Sequence, residues 1–377
     1  MKISFTVLAF LFFFLPAASF AQSVFDTPAK QAILIDANTG TVLFEKEGAA
    51  RMPTSSMSKV MTMYMVFEAI DRGHLSLNDE FTISEKAWKM GGSRMFIEVG
   101  KTVKVEDLIR GVVIQSGNDA TVALAEGIAG SEEAFVELMN LRAKEIGLQD
   151  SNFRNASGWP DSDHYSTPRD LAILAHRIKE DFPKHFHYFA EKEFTYNKIT
   201  QPNRDPLLGR LPGADGLKTG HTEAAGYGLI GTAERNGRRL IMVVNGLSSE
   251  KERADESVRI MEWGFNNFES KKIVSAGAEI EEVQVWLGES ELVPMVAEKD
   301  FTAVLPKLGS NRAEISLRYA SPLKAPLKKG ESIGTLKISI PGQSPAEINL
   351  VAGKDIPMKG FFGRAKARLE YLVTGNI

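Results

Sequence analysis

Residues 53–70 read Pro53-Thr54-Ser55-Ser56-Met57-Ser58-Lys59-Val60-Met61-Thr62-Met63-Tyr64-Met65-Val66-Phe67-Glu68-Ala69-Ile70. A hydroxyl and an amine stand three residues apart at the head of an apolar run. On a helix, Ser56 and Lys59 fall one turn apart on the same face. Ser56 then sits in the first turn, where free N–H groups and the helix dipole favour negative charge. By itself Ser-x-x-Lys is short, and a capped helix start with a solvated lysine has the same pattern. The residues that follow argue otherwise. They leave almost no polar face, and a helix that is apolar all round is buried. A lysine at the start of a buried helix needs a partner or a chemical role, because an unpaired buried charge is costly. A serine beside such an amine has the parts of an activated nucleophile.

The flanking chain supplies context. Its 377 residues and net charge of −3 suit a multi-domain globular protein with no general attraction to nucleic acid. Met1–Ala21 reads as a secretory signal peptide: Lys2, the apolar run Val7–Leu15, then the small residues of Ala18-Ser19-Phe20-Ala21. The absence of cysteine excludes thiol chemistry and thiolate metal sites. An exported protein without disulfides must hold together by its core alone.

In chain order, Gln31–Asp36 and Thr41–Lys46 are predicted to form a β-hairpin. Leu75–Gly100 reads as a loop-rich excursion. Val105–Ile114 is a predicted helix. The break Gln115-Ser116-Gly117-Asn118-Asp119 precedes another, Ala120–Ile128, and such a loop can point a hydroxyl and an amide into a cleft. Ser131–Ile146 is an amphipathic helix. Thr167 and Pro168 are the N-cap and first position of a helix running to Ile178. His176, His185 and His187 show no metal-ligand spacing and read as surface or packing residues. Asn236-Gly237 between two apolar runs predicts a hairpin, which puts Lys218-Thr219-Gly220 on an adjacent strand. Gly220 in that strand marks either a bulge or a close approach to the backbone, as by a peptide substrate. Ser257–Phe268 reads as a helix packed on the sheet.

Beyond residue 275 the pattern turns to short alternating runs: Val283–Leu287, Phe301–Leu305, Ile315–Tyr319, Ile333–Ile340 and Ile348–Val351. In the tail, Phe361, Phe362, Ala365, Leu369, Leu372 and Val373 share one helical side and Arg364 and Arg368 another. That suits a helix lying in an anionic membrane surface, or one docked on the preceding domain; the basic and aromatic sides favour the membrane. The expected division is a signal peptide over 1–21, a catalytic domain over 22–272, a β-rich domain over 273–357 and an amphipathic anchor over 358–377.

Ser56-x-x-Lys59, Ser116-x-Asn118 and Lys218-Thr219-Gly220, in that order, form the motif set of the active-site serine penicillin-recognising enzymes. The chain resembles their low-molecular-mass D-alanyl-D-alanine carboxypeptidases from end to end, through Asp215–Thr222, Trp263-Gly264-Phe265 and the Phe361-Phe362-Gly363 tail. The resemblance implies an α+β fold: a β-lactamase/transpeptidase-like catalytic domain of antiparallel sheet and helical cluster, then a small all-β domain and a C-terminal amphipathic helix. It implies Ser56 as nucleophile and Lys59 as its base. Ser116 and Lys218 become the relay returning a proton to the leaving D-alanine. Asn118 orients Lys59 and the substrate amide, and Thr219 and Gly220 belong to the substrate-binding strand, where Thr219 holds the terminal carboxylate. The N–H groups of Ser56 and His221 form the oxyanion hole, and Arg253, with Arg204 as a weaker match, supports carboxylate recognition. Thr54 and Ser58 depart mildly from the family's usual Ala and Thr. No cofactor or metal is expected. The implied partners are peptidoglycan pentapeptide stems, β-lactams as inhibitors, and the outer face of the cytoplasmic membrane.

Three rivals share features. A class A β-lactamase needs a glutamate base, for which Glu137-Leu138-Met139-Asn140 is the nearest but imperfect candidate. A D,D-endopeptidase uses the same chemistry. A non-catalytic wall-peptide binder would not need Ser56, Lys59, Ser116 and Lys218 intact.

Overall fold

The computed structural model describes residues 25–307, 314–340 and 345–374, and the predicted signal peptide lies outside them. The first unit is built on a five-stranded antiparallel sheet. Its order is Thr41–Lys46, Gln31–Asp36, Arg238–Leu247, Gly226–Arg235, Ala214–Thr222, so the strand carrying Lys218-Thr219-Gly220 is an edge. The Asn236-Gly237 turn has positive φ at both residues (52° and 76°), as the tightest hairpin turns require. The middle strands read as continuous apolar runs because both faces are covered. Ile33, Ile230, Ile241 and Val243 join the helical side, while Leu34, Leu229, Leu240 and Met242 face the other.

The helices are α1 (Lys59–Asp71), α2 (Glu85–Lys89), α3 (Val105–Val113), α4 (Asn118–Ala129), α5 (Glu132–Glu145), α6 (Pro168–Asp181), α7 (Glu250–Asn267) and α8 (Phe361–Thr374). The first six lie on one side of the sheet, and α7 covers the other. The run after Lys59 is buried all round, as its composition predicts: Val60, Met61, Met63, Tyr64, Val66 and Phe67 are each fully buried. Thr167 caps α6 by accepting the Asp170 N–H at 3.1 Å, with Pro168 in the first turn. His185 is a packing residue, stacked on Phe67 and bonded to Asp71.

The excursion 75–100 is not all loop. It holds the strand Glu80–Thr82, paired with Thr102–Lys104, and α2. The Ser56 segment also differs in detail. Ser55–Ser58 is a single 3₁₀ turn leading into α1, so the nucleophile candidate stands just ahead of the α-helix. The tighter turn keeps the three-residue spacing on one face, since the 3₁₀ period eclipses i and i+3.

α7 runs without a loop into the strand Phe268–Val274, which pairs with Phe301–Pro306. Beyond it a six-stranded sheet has the order Glu314–Tyr319, Ser332–Ser339, Ala346–Ala352, Leu292–Ala297, Glu279–Trp286, Leu323–Lys324. This β-rich unit has its own core, including Val283, Val293, Met295, Leu336, Ile348 and Leu350. Its alternating strand Glu314–Tyr319 lies at the sheet edge, so Ile315 stays 56% exposed. α8 follows with its apolar side in solvent: Phe362 is 86% and Leu372 79% exposed. Among the described residues no helix is long and apolar enough to cross a membrane.

Candidate active site

Where the helical cluster meets the sheet's edge strand, a pocket of about 450 Å³ is lined by Ser56, Ser93, Ser116, Arg204, Thr219, Gly220, His221, Glu250 and Arg253. Lys59, Asn118 and Lys218 form the buried wall behind it. The ten residues singled out from the sequence are therefore drawn to one place from five separate segments. Ser93, Glu250 and the carbonyl of Ser157 were not foreseen.

The serine–lysine pair is tightly held. Lys59 is fully buried, and its Nζ lies 2.8 Å from Ser56 Oγ, 2.7 Å from Asn118 Oδ1 and 2.6 Å from the Ser157 carbonyl. The Asn118 amide is oriented by its Nδ2, which donates to the Gly91 carbonyl at 2.8 Å. Burial, and secondarily the Arg204 charge, lowers the Lys59 amine to about 7. A carbonyl and an amide oxygen only accept, so a neutral amine gives both its protons to them. Its lone pair then faces Ser56 Oγ, which is the arrangement a base needs.

Backbone constraints bring this about. Ser55, beside Ser56, has φ 48° and Ser116 has φ 66°, both unusual for residues with a Cβ. The edge strand presses against the Ser55–Ser58 turn, since a Cβ on Gly220 would lie 2.8 Å from the Thr54 carbonyl. Gly220 thus serves close approach, and the approaching backbone is the chain's own. Asp119 ties the Ser116 loop to the excursion by accepting the N–H groups of Met95, Phe96 and Ile97. Ser116 Oγ is buried with no hydrogen-bond partner among the described residues, a hydroxyl free to take part in transfer.

Positive charge dominates the remaining wall. Among the described residues, Lys218 Nζ donates to the Thr219 carbonyl alone, at 3.2 Å. Burial, then Lys59, Arg204 and Arg253, holds it well below the usual lysine range. Arg204 donates to Ser93 Oγ at 2.5 Å, and Arg253 stands 5.7 Å from the Tyr227 ring. A site so furnished suits an anion. Among the described residues no group of His, Asp and Glu is arranged to hold a metal. Glu137, weighed as a lactamase-type base, lies on the exposed face of α5 and outside the pocket.

Family models match on both units. Residues 18–249 fit the D-alanyl-D-alanine carboxypeptidase family, and residues 268–358 fit the C-terminal domain of penicillin-binding protein 5. The chain is 39% identical to the D-alanyl-D-alanine carboxypeptidase DacA of Haemophilus influenzae, over 98% of each chain. It is 37% identical to DacC of Escherichia coli, over 94% of this chain and 92% of that one. The crystal structure of penicillin binding protein 5 from Haemophilus influenzae superposes with a TM-score of 0.78 at 39% identity, covering 88% of this chain and 98% of that one. The chain belongs to the D-alanyl-D-alanine carboxypeptidase family, with the second domain of penicillin-binding protein 5.

Proposed function

We propose that the protein is a serine-type D-Ala-D-Ala carboxypeptidase that removes the terminal D-alanine from peptidoglycan pentapeptides through an acyl-enzyme on Ser56. The observation that carries this reading is the Lys59 amine, fully buried, lowered to about 7, and 2.8 Å from Ser56 Oγ. Ser56 Oγ attacks the carbonyl between the two D-alanines and its proton passes to Lys59. The oxyanion is met by the N–H groups of Ser56 and His221. The tetrahedral intermediate collapses, the C–N bond breaks, and the leaving amine takes a proton through Ser116 and Lys218. Thr219, with Arg253 and Arg204 behind it, holds the free carboxylate that marks a chain terminus. Water then attacks the ester and frees Ser56. A groove of about 570 Å³ that includes Ser55, Gly158, Trp159 and Thr222 adjoins the nucleophile turn and has room for the rest of the stem. A β-lactam imitates the dipeptide and acylates the same serine.

Residues 22–272 act as the catalytic unit in this reading and 273–357 as a spacer, after export behind the N-terminal signal. α8 lies in the outer face of the cytoplasmic membrane through its exposed apolar side. The experiment is twofold. Purified mature protein is incubated with labelled penicillin and with a pentapeptide ending in D-Ala-D-Ala. Label on Ser56, absent in Ser56→Ala, and release of one alanine per peptide are expected. Intact protein that takes no label refutes the enzyme, and cleavage of cross-linked dimers in preference to pentapeptide makes it an endopeptidase.

A further inference from the structure

Against the Ser55–Ser58 turn lies a buried series of hydrogen bonds that the proposed mechanism does not use. Thr54 stands at the N-cap of the turn, where a threonine hydroxyl ordinarily accepts an N–H of the first turn. Here its backbone is already helical (φ −94°, ψ −17°) and the hydroxyl makes no such bond. Instead Thr54 Oγ1 lies 2.5 Å from Ser58 Oγ, across the turn. Ser58 Oγ in turn lies 2.7 Å from Nε2 of His164, 106 residues further along the chain. Thr54 and Ser58 are fully buried and His164 is nearly so. Polar groups sealed in the interior need partners, and these three find them in one another.

The direction of the series is fixed at its far end. His164 Nδ1 accepts the Arg154 N–H at 3.2 Å. A ring nitrogen that accepts carries no proton, so in the neutral imidazole the proton sits on Nε2. Nε2 therefore donates to Ser58 Oγ, and the Ser58 hydroxyl is left to donate to Thr54 Oγ1. Burial depresses the imidazole to about 4, with Asp161 favouring its proton and Lys59 opposing it. The ring is thus neutral wherever the Lys59 amine, lowered to about 7, can be neutral. The segment around His164 is itself anchored. The His164 N–H bonds to the Asp161 carbonyl at 3.1 Å, and its ring meets Phe153 edge to face at 5.6 Å. Ser166 exchanges two backbone bonds with Met52, at 2.8 and 3.1 Å, and Met52 leads through Pro53 into the turn.

We propose that His164 is a positioning residue: through Ser58 and Thr54 it holds the Ser55–Ser58 turn in the shape that presents Ser56 Oγ to Lys59. This rests on the carboxypeptidase reading above. The strain in the turn is at Ser55, whose φ of 48° is one that the surroundings must enforce. The Met57 N–H, bonded to the Thr54 carbonyl at 3.1 Å, closes the turn along the backbone. The Thr54–Ser58 bond closes it again through the side chains, with Ser55 and Ser56 between. His164 then ties the closed turn to the 152–166 segment. The distance so guarded is the 2.8 Å between Lys59 Nζ and Ser56 Oγ, which proton transfer needs within hydrogen-bond reach.

The test separates binding from acylation with labelled penicillin, by measuring the dissociation constant of the first complex and the acylation rate constant. In His164→Asn the amide donor falls at the reach of Nδ1, short of Ser58; in His164→Gln it falls at the reach of Nε2. The acylation rate constant should drop at least about tenfold in His164→Asn and in Ser58→Ala, with the dissociation constant changed less than about twofold. His164→Gln should recover to within about threefold of wild type, because it restores the donor. The double variant Ser58→Ala/His164→Asn should be no slower than the slower single variant, as links of one series require. Folded variants that acylate at the wild-type rate, losses that multiply in the double variant, or a His164→Gln as slow as His164→Asn overturn the proposal. Weakened binding with unchanged acylation overturns it too. If the His164 variants fail to fold by circular dichroism, Ser58→Ala, which deletes one oxygen, decides by its acylation rate. If that variant also fails to fold, the series serves the fold alone and the proposal fails. A wild type that takes no label refutes the carboxypeptidase reading itself, a different result from variants that acylate like wild type.

Discussion

At the scale of single residues, the proposed mechanism turns on the protonation state of Lys59. Its ordinary pKa of 10.5 is depressed to about 7 by burial first and by Arg204 second. In that mechanism the reactive form is the neutral amine, so activity should be present above that value and lost below it. Acylation by labelled penicillin should fall about tenfold per unit as pH drops below 7 and level off above it. A flat profile between pH 5 and 7 contradicts Lys59 as the base. Lys59→Arg replaces the amine with a guanidinium that does not deprotonate, and should slow acylation by on the order of 10³-fold while binding persists. Stopped-flow acylation and a competitive binding assay separate these two effects. Asp119 acts on the backbone instead, its carboxylate gathering the Met95, Phe96 and Ile97 N–H groups. Asp119→Asn turns an acceptor into a donor facing them and should cost roughly 1–3 kcal/mol, visible as a lower Tm. An unchanged Tm removes that role.

At the scale of elements, the turn Ser55–Ser58, which carries the proposed nucleophile, is wedged between two backbones. On one side the edge strand comes against it at Gly220. On the other, a Cβ on Gly158 would sit 1.8 Å from the Ser55 carbonyl oxygen, and Gly158 itself has φ 77°. Gly158→Ala should therefore displace the turn, with Tm lowered and acylation cut at least about tenfold. A variant with normal acylation shows that the turn does not depend on this contact. Several elements were legible because their signals are local: the Asn236-Gly237 hairpin, the Thr167–Pro168 start of α6, and the buried run of α1. The strands Leu292–Ala297 and Phe268–Val274 were not. The first carries Pro294 in mid-strand, and the second is a run of exposed polar residues from Glu269 to Lys272, so neither shows a hydrophobic period. Tertiary pairing with Ala346–Ala352 and Phe301–Pro306 makes them strands.

At the scale of the whole molecule, the catalytic unit and the tail lie at opposite ends of the chain with a β-rich unit between. α8 exposes Phe361, Phe362, Leu369, Leu372 and Val373, and among its contacts is a Tyr371–Trp286 ring pair at 5.4 Å. Full-length mature protein should sediment with vesicles containing anionic lipid, less so at high salt. Removal of residues 359–377 should leave it in the supernatant with penicillin labelling unchanged. A truncated protein that still sediments refutes the anchor.

The sequence by itself determined the fold class, the family and the chemical inventory of the site. Those depend on which groups are present and on short spacings, such as the three residues between Ser56 and Lys59 that any tight helical turn brings together. Only the tertiary structure decided what these groups can do. Lys59 is fitted to serve as the proposed base because its amine is sealed from water and given two pure acceptors, the Asn118 amide oxygen and the Ser157 carbonyl, 59 and 98 residues further along the chain. Desolvation and charge coupling belong to the assembled surroundings, and a backbone carbonyl such as that of Ser157 leaves no mark in the sequence to predict it.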